Sequence, residues 1–295
     1  MNRSIVIMAG GMGSRYGGLK QVDSFGPNNE SILDYSIYDS IKAGFNKVII
    51  LSSPNLKKYF KKKYIEKFQG LNKISLEIVV QDPKYGLNQF KLPDNRKKPW
   101  GTAHAILCCE NVIDESFITI NADDFYGFGA FKKAFDSLNY IEENNLKVST
   151  ISYLIENTLS ENGGVSRGVC IKKENKLIDI EETHELIRIG DIIEGIFDGK
   201  KVKHPIGTQV AMNLFGFQKS IFSLLNSEFK LFLKKNINEE KKEFLLPEVV
   251  GKENVFIDVT DENWFGVTYK EDSEVVRNKI KNLVKNNTYP LRLWN

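Results

Sequence analysis

Cysteine, histidine, net charge and long apolar runs are all scarce in this chain, and each shortage closes off a class of function. Three cysteines in 295 residues, the adjacent Cys108 and Cys109 and the single Cys170, make neither a disulfide framework nor the C-x-x-C spacing of a zinc or redox site. They are expected to be small core residues of a reduced, cytoplasmic protein. With 41 lysines and arginines against 38 acidic residues, the net charge of +3 is too slight for a nucleic-acid partner. No apolar stretch approaches the roughly 20 residues that cross a bilayer, and "MNRSIVIMAGG" has no leader pattern, so no membrane partner is expected.

What is present is an ordinary globular composition, 41% hydrophobic, in a chain long enough for one large α/β domain or two smaller ones. Strand-like runs ("SIVIM", "KVIIL", "LEIVV", "FITIN") alternate with helical patterns ("SILDYSIYDSIKAG", a basic helix from Ser53-Pro54, "TAHAILCCENV"). That alternation predicts βαβ units and a mixed, mostly parallel sheet flanked by helices. Residues 1–150 read as the first half. Residues 151–295 add a smaller lobe, with two strands joined at Glu174-Asn175, a strand "GTQVAMNLFGF" and two late helices. In the basic helix, Leu56, Phe60, Tyr64 and Phe68 share one face, while Lys57, Lys58, Lys61 and Lys62 point away, as a solvated face or else an electrostatic patch for a nucleic acid or acidic partner.

After the first strand comes "MAGGMGSRYGGLKQ", with glycines at 10, 11, 13, 17 and 18 around Arg15 and Lys20. Glycine at this density weakens any regular element, so the backbone must turn tightly or come close to a ligand. The Walker loop fails: Gly13 and Gly18 are correctly spaced, but Leu19 follows, and Lys20 is trailed by Gln21. The dinucleotide fingerprint fails too, meeting Tyr16 where its third glycine belongs. What remains is a turn aiming backbone N–H groups at one point beside two cations, an anion nest. Further on, "INADDFYG" places Asp123 and Asp124 at the end of an apolar strand, where open α/β sheets keep their ligands. Either they serve a magnesium ion, which takes one or two carboxylates plus phosphate oxygens, or they cap the helix that "FYGFGAF" leads into.

"GGMGSRYGGLKQ" resembles the G-G-x-G-[ST]-R…K signature of sugar-1-phosphate nucleotidyltransferases, in the Lys-Gln form that glucose-1-phosphate thymidylyltransferases also show. The resemblance continues in order through "VVQ", "PWGTAHA", "FITINADDFYG", "RGVCI…DIEE" and "VAMNLFGF", over roughly residues 4 to 217. It implies the Rossmann-like nucleotide-diphospho-sugar transferase fold with a smaller sugar-binding lobe. It also implies a Mg-dependent reaction joining a nucleoside triphosphate to a sugar 1-phosphate with release of pyrophosphate. Carried over residue by residue, Arg15, Lys20 and Asp123 are catalytic and Asp123 is the metal ligand. Ala9, Gly10, Gly11, Gly13, Ser14, Gln81, Gly101 and Thr102 bind the nucleotide, and Gly168, Glu181, Glu182 and Asn213 bind the acceptor. His104 reads as a helix residue near the site rather than a base or ligand.

The Gln81 amide both donates and accepts, so it matches uracil, thymine or adenine, and UTP or dTTP is favoured only by the Lys-Gln ending. In the resemblance a Lys commonly follows the Glu and grips the acceptor phosphate. Here Thr183-His184 follows, so His184 or Arg188 substitutes, or the acceptor differs. The late Trp is followed by Gly266 where the resemblance expects a metal-binding Asp, leaving Asp261 or Asp272 as the second ligand. Attack by a phosphate oxygen, already anionic, needs no general base, in keeping with the absence of a His- or Cys-based triad. Two other readings stand beside this one: a cytidylyltransferase acting on a polyol or choline phosphate, and a non-catalytic nucleotide-sugar-binding regulator. The oligomeric state is open, with a homo-oligomer allowed.

Overall fold

The computed structural model describes residues 2–10, 23–69, 74–160, 163–267 and 272–294. Gly11, Gly13, Ser14, Arg15 and Lys20 lie outside the described residues. The first half builds β1 (Ser4–Ala9), α1 (Ile32–Ala43), β2 (Lys47–Ser52), α2 (Lys57–Gln69), β3 (Ser75–Val80), α3 (Thr102–Leu107) and β4 (Phe117–Asn121). The short β5 (Asp124–Phe125), α4 (Phe128–Glu143) and β6 (Val148–Leu154) follow. An antiparallel excursion comes next: β7 (Val165–Lys173), β8 (Lys176–Ile189), β9 (Ile192–Phe197) and β10 (Lys200–Pro205). The chain returns as β11 (Gln209–Phe217), α5 (Ile221–Asn236), α6 (Leu246–Val250), β12 (Val255–Thr260), β13 (Phe265–Gly266) and α7 (Asp272–Lys285).

Among the described residues β12, β6, β4, β1, β2 and β3 share one direction, and β11 runs against them between β6 and β4. The expected mixed sheet flanked by helices is what forms, but it is mostly parallel only in this central run: β7 to β10 join the same sheet antiparallel, β8 pairing with β12 and β7 with β11. The central strands β1, β2 and β4 are largely apolar and buried because both faces are covered, whereas β3 is partly exposed. Along β1, Ile5, Ile7 and Ala9 join one core with Leu33, Phe60 and Phe131 of α1, α2 and α4. Val6, pointing the other way, joins a second core with Ala105, Phe229 and Val249 of α3, α5 and α6.

Helix α1 starts at Ser31 in a capping box with Asp34 and ends at Gly44, whose φ of 113° suits glycine. The basic helix begins at Lys57 rather than at Ser53-Pro54. Its apolar stripe is buried, and Lys57, Lys58, Lys61 and Lys62 are exposed as expected. Lys63 and Lys67, however, turn onto the buried Asp34 at 2.9 and 2.7 Å. Burial pushes the Asp34 carboxyl up, but the two ammonium groups outweigh it and hold the group below its usual range.

The end of β4 is tied to β11 by one hydroxyl. Tyr126 Oη, fully buried, donates toward Met212 O at 3.1 Å and accepts from Asn121 N at 3.1 Å. Between Ala211 and Phe215 the β11–β6 register slips, and Asn213 takes a left-handed φ of 58°. A third core holds the C-terminal segment on α1 and the β5–β13 pair: Tyr35, Phe125, Phe265, Val276, Ile280 and Tyr289. Within it Tyr289 Oη donates to Asp39 Oδ2 at 2.5 Å, while Asp39 Oδ1 is buried with no partner among the described residues.

Two outcomes follow from these contacts. Replacing Tyr126 by Phe strands Met212 O and Asn121 N in the core, so urea denaturation is expected to show a loss of about 1–3 kcal/mol. Burial drives the Asp39 carboxyl up to about 7, with the charge of Glu262 adding to the rise against the opposing Tyr289 bond and Lys42 charge. Between pH 4 and about 7 the unfolded chain has lost this proton and the folded chain keeps it, so stability declines as pH rises through that window. The urea midpoint should therefore contain a pH-dependent contribution of a few kcal/mol. Asp39→Asn should flatten that contribution; an identical pH profile in the variant would refute it.

Candidate active site

Because β1, β3 and β4 are parallel, their C-terminal ends meet along one edge of the sheet, and the sequence-predicted residues Ala9, Gly10, Gln81 and Asp123 stand there. Such an edge is where an open α/β sheet has room for a ligand, since the loops there are not buried between strands and helices.

Gln81 and Gly101 are in contact as expected: Gln81 Nε2 donates to Gly101 O at 3.0 Å. The other amide hydrogen goes to His104. His104 Nε2 lies 3.0 Å from Tyr85 O, a carbonyl that can only accept, so the proton is on Nε2. Nδ1 then carries the lone pair and receives Gln81 Nε2 at 3.3 Å. Burial, with help from the Arg96 charge, lowers the His104 pKa to about 4 against the opposing Tyr85 carbonyl and Asp82. The ring is therefore neutral at pH 7. Both Gln81 hydrogens are spent inward, which leaves its amide oxygen as the group without a bond to these partners. His104 is thus more than a helix residue: it fixes the orientation of the Gln81 amide.

Gly101 has φ of 107°, and a Cβ there would stand 2.6 Å from Phe244 O, so no other residue lets this loop press against the strand-like Phe244. The Thr102 hydroxyl accepts Leu246 N at 2.9 Å and secures the start of α6.

Asp123 is half-buried just beyond β4, and its carbonyl accepts Val267 N at 3.2 Å. Asp124 is buried; its Oδ2 receives Asn121 Nδ2 at 2.9 Å, and its strand β5 pairs with β13 so that Gly266 stands opposite. Neither aspartate caps α4. That amide end is taken by Glu262, whose Oε1 accepts Gly129 N at 2.7 Å. The capping alternative is thereby corrected: β5 intervenes between the aspartates and the helix, and a distant carboxylate does the work. Two consecutive carboxylates at the sheet edge suit magnesium. Among the described residues no cluster of three His, Cys, Asp or Glu side chains forms, so the remaining ligands would be phosphate and water oxygens.

Of the residues expected to bind the acceptor, Gly168 pairs with Glu182 across β7 and β8, and a Cβ at Gly168 would meet Ile180 Cγ2 at 2.5 Å, Glu182 Oε2 at 3.8 Å and Ala211 Cβ at 3.9 Å. Asn213 is exposed on the β11 bulge beside the Tyr126 anchor. Glu181 is not with them. It pairs with Val169 and so points to the other face of β8, where its charge acts on His204. His184 is exposed, with Nδ1 2.8 Å from Ser166 Oγ. Arg188 sits six residues beyond Glu182, roughly 20 Å along the strand, bonded to Gly190 O in its own hairpin. It therefore does not reach the Gly168–Glu182 pair. Asp261 is exposed, whereas Asp272 lines a cavity together with Gly266.

Sequence reasoning passed over Tyr126, Glu262 and Arg167. Arg167 had a signal, since it stands immediately before Gly168; Tyr126 and Glu262 act through contacts 86 and 133 residues away and left none.

Comparison with known proteins agrees with this architecture. The inositol-1-phosphate CTP transferase from T. maritima superposes with a TM-score of 0.61 at 16% identity, over 95% of this chain and 96% of that one. A Bacillus anthracis protein provisionally assigned as a glucose-1-phosphate thymidylyltransferase, in complex with a sucrose, gives 0.60 at 14% identity, again over 95% and 96%. At these identities the likeness establishes the shared fold. No curated protein matches the chain. The profile of the nucleotidyl transferase family matches residues 4–267, nearly the whole length, and the chain belongs to that family of enzymes.

Proposed function

We propose that this enzyme transfers a nucleotidyl group from a nucleoside triphosphate to a sugar 1-phosphate, releasing pyrophosphate. The observation that carries the reading is the convergence of Gly10, the Gln81–Gly101 pair and Asp123 on one edge of the parallel sheet. An acceptor phosphate oxygen attacks the α-phosphorus in line; the new P–O bond forms as the bond to the β-phosphate oxygen breaks, and the electron pair leaves with pyrophosphate. The nucleophile is anionic near neutral pH, so the chain supplies positioning and charge rather than a base. Arg15 neutralises charge developing on the α-phosphate and leaving group, and Lys20 spans the phosphates. Asp123, with Asp124 beside it, would hold magnesium, which supplies positive charge to the phosphate oxygens.

The orientation of Gln81 bears on the base. With only its oxygen outward, it accepts a hydrogen from the imide N–H of uracil or thymine, which supports UTP or dTTP. The same oxygen accepts the amino group of cytosine. That supports a second reading, transfer from CTP to a polyol phosphate, and the T. maritima neighbour is named for such a reaction.

Incubating the protein and Mg²⁺ with UTP, dTTP, CTP or ATP against glucose 1-phosphate, inositol 1-phosphate and choline phosphate, with pyrophosphate release as readout, decides between them. Highest kcat/KM is expected with UTP or dTTP and a sugar 1-phosphate. Preference for CTP with a polyol phosphate selects the second reading, and no turnover with any pair rejects both. His104→Ala frees one Gln81 hydrogen and lets the amide turn over. Discrimination between the preferred base and its nearest competitor should fall by about tenfold or more, while the acceptor KM stays put. An unchanged preference would show that His104 does not orient the base reader.

A further inference from the structure

Behind the Asp123–Asp124 edge lies a cavity of about 210 Å³, walled by Arg167, Trp264, Gly266, Asp272, Lys279 and the turn at Gly163-Gly164. It is smaller than the roughly 300–1,000 Å³ that drug-sized ligands occupy, so it suits a compact group and not a nucleotide. Its polar lining is short of negative charge. Arg167 packs on the Trp264 ring at 4.6 Å, which fixes the plane of the guanidinium. Nη1 donates to Ser166 O at 2.8 Å and Nη2 to Thr158 O. Of the five guanidinium hydrogens, three are unspent, and Nε is buried without a partner among the described residues. Trp264 Nε1, in the same wall, is also buried and unpartnered among them. Lys279 lies over the Phe265 ring at 5.2 Å, and among the described residues neither Lys279 nor Arg167 makes an ion pair. Burial lowers the Arg167 pKa to about 10 even though the more distant charges of Asp124 and Glu182 oppose it.

Among the described residues the lining combines two cations and two buried N–H donors with one carboxylate, Asp272, a set that an anion with several acceptor oxygens would complete. The cavity also touches the chemistry. Gly266 lines it and pairs with Asp124, and a Cβ at 266 would stand 2.5 Å from Asp124 Oδ1. The bare backbone at 266 lets the aspartate and the cavity share that wall without either shifting.

We propose that this cavity binds the phosphomonoester of the acceptor, with Arg167 forking onto its oxygens and Lys279 adding charge at the mouth. The assignment rests on the transferase reading above and names the group that delivers the attacking oxygen. No proton moves on binding: the dianion enters, and one of its oxygens is left to form the new P–O bond.

Steady-state kinetics and calorimetry with inorganic phosphate as the probe test it together. Arg167→Gln should raise the acceptor KM by about tenfold to a hundredfold and leave the triphosphate KM within twofold; Arg167→Lys should fall between. Lys279→Met, at a half-exposed position, should give a smaller rise of about threefold. Inorganic phosphate should compete with the acceptor in the wild type and lose its heat of binding in Arg167→Gln. If Arg167→Gln melts early, Arg167→Lys and Lys279→Met carry the test. An unchanged acceptor KM and unchanged phosphate binding in the folded variants overturn the assignment while turnover keeps the transferase reading. Should the wild type turn over no pair, phosphate binding that depends on Arg167 still supports an anion cavity, and binding indifferent to Arg167 overturns it.

Discussion

The turn at the end of β4 is the constraint on which the rest of the site depends. Two carboxylates must stand side by side at the edge of an apolar sheet, and nothing in a run such as Phe117–Asn121 would hold them there. Four contacts do so. Tyr126 Oη takes Asn121 N and reaches Met212 O, Asn121 Nδ2 fixes Asp124, Val267 N grips Asp123 O, and Glu262 closes the start of α4 just downstream. Among the described residues most partners outside the turn come from beyond 210, and Ser36 Oγ of α1 adds a long bond to Asp124 O at 3.5 Å. The late chain therefore contributes much of what positions carboxylates that sit on the early one.

This explains why the two halves read from the sequence are interleaved in space. β6, β11 and β12 lie inside the same sheet as β1 to β4, α5 and α6 pack on α3, and the segment around Tyr289 seals α1. β7 to β10 extend the same sheet as an antiparallel arm, β8 pairing with β12 and β7 with β11, and the chain returns through the β11 bulge beside the aspartates. A sheet whose parallel strands are buried on both faces has no independent half: removing the later strands would expose one wall of each core.

Much of the fold was legible because parallel strands carry their signal locally. Unbroken apolar runs bounded by glycine, proline and capping residues located β1 to β4, and four-residue spacing located α1 and the core face of α2. The site was legible where residues act through their own neighbours in sequence, as with Asp123 at a strand end and Gln81 before a turn. It was not legible where a side chain is defined by a partner far away. Glu181 and Glu182 look equivalent in "DIEE", yet alternation along β8 sends them to opposite faces. Asp34 completes the capping box of α1, and two lysines of α2 also make it a buried ion centre, which helical periodicity alone cannot reveal.

The glycine at 266 shows how a departure in sequence can be a consequence of geometry. A Cβ there would stand 2.5 Å from Asp124 Oδ1 and 3.1 Å from the Trp264 ring, so a side chain at 266 would require the buried Asp124 to shift. The consecutive Asp123 and Asp124 bring two carboxylates to the turn after β4, where the resemblance expects the second from position 266. The charge on the far side of Gly266 follows the same logic. The charge of Asp124 reaches the desolvated Arg167, whose guanidinium packs on the Trp264 ring. Gly266 lines the cavity that holds Arg167 and pairs with Asp124 across β5 and β13. In the proposed reaction between two phosphates, cationic and anionic groups that do not collapse onto each other each keep a charge for substrate.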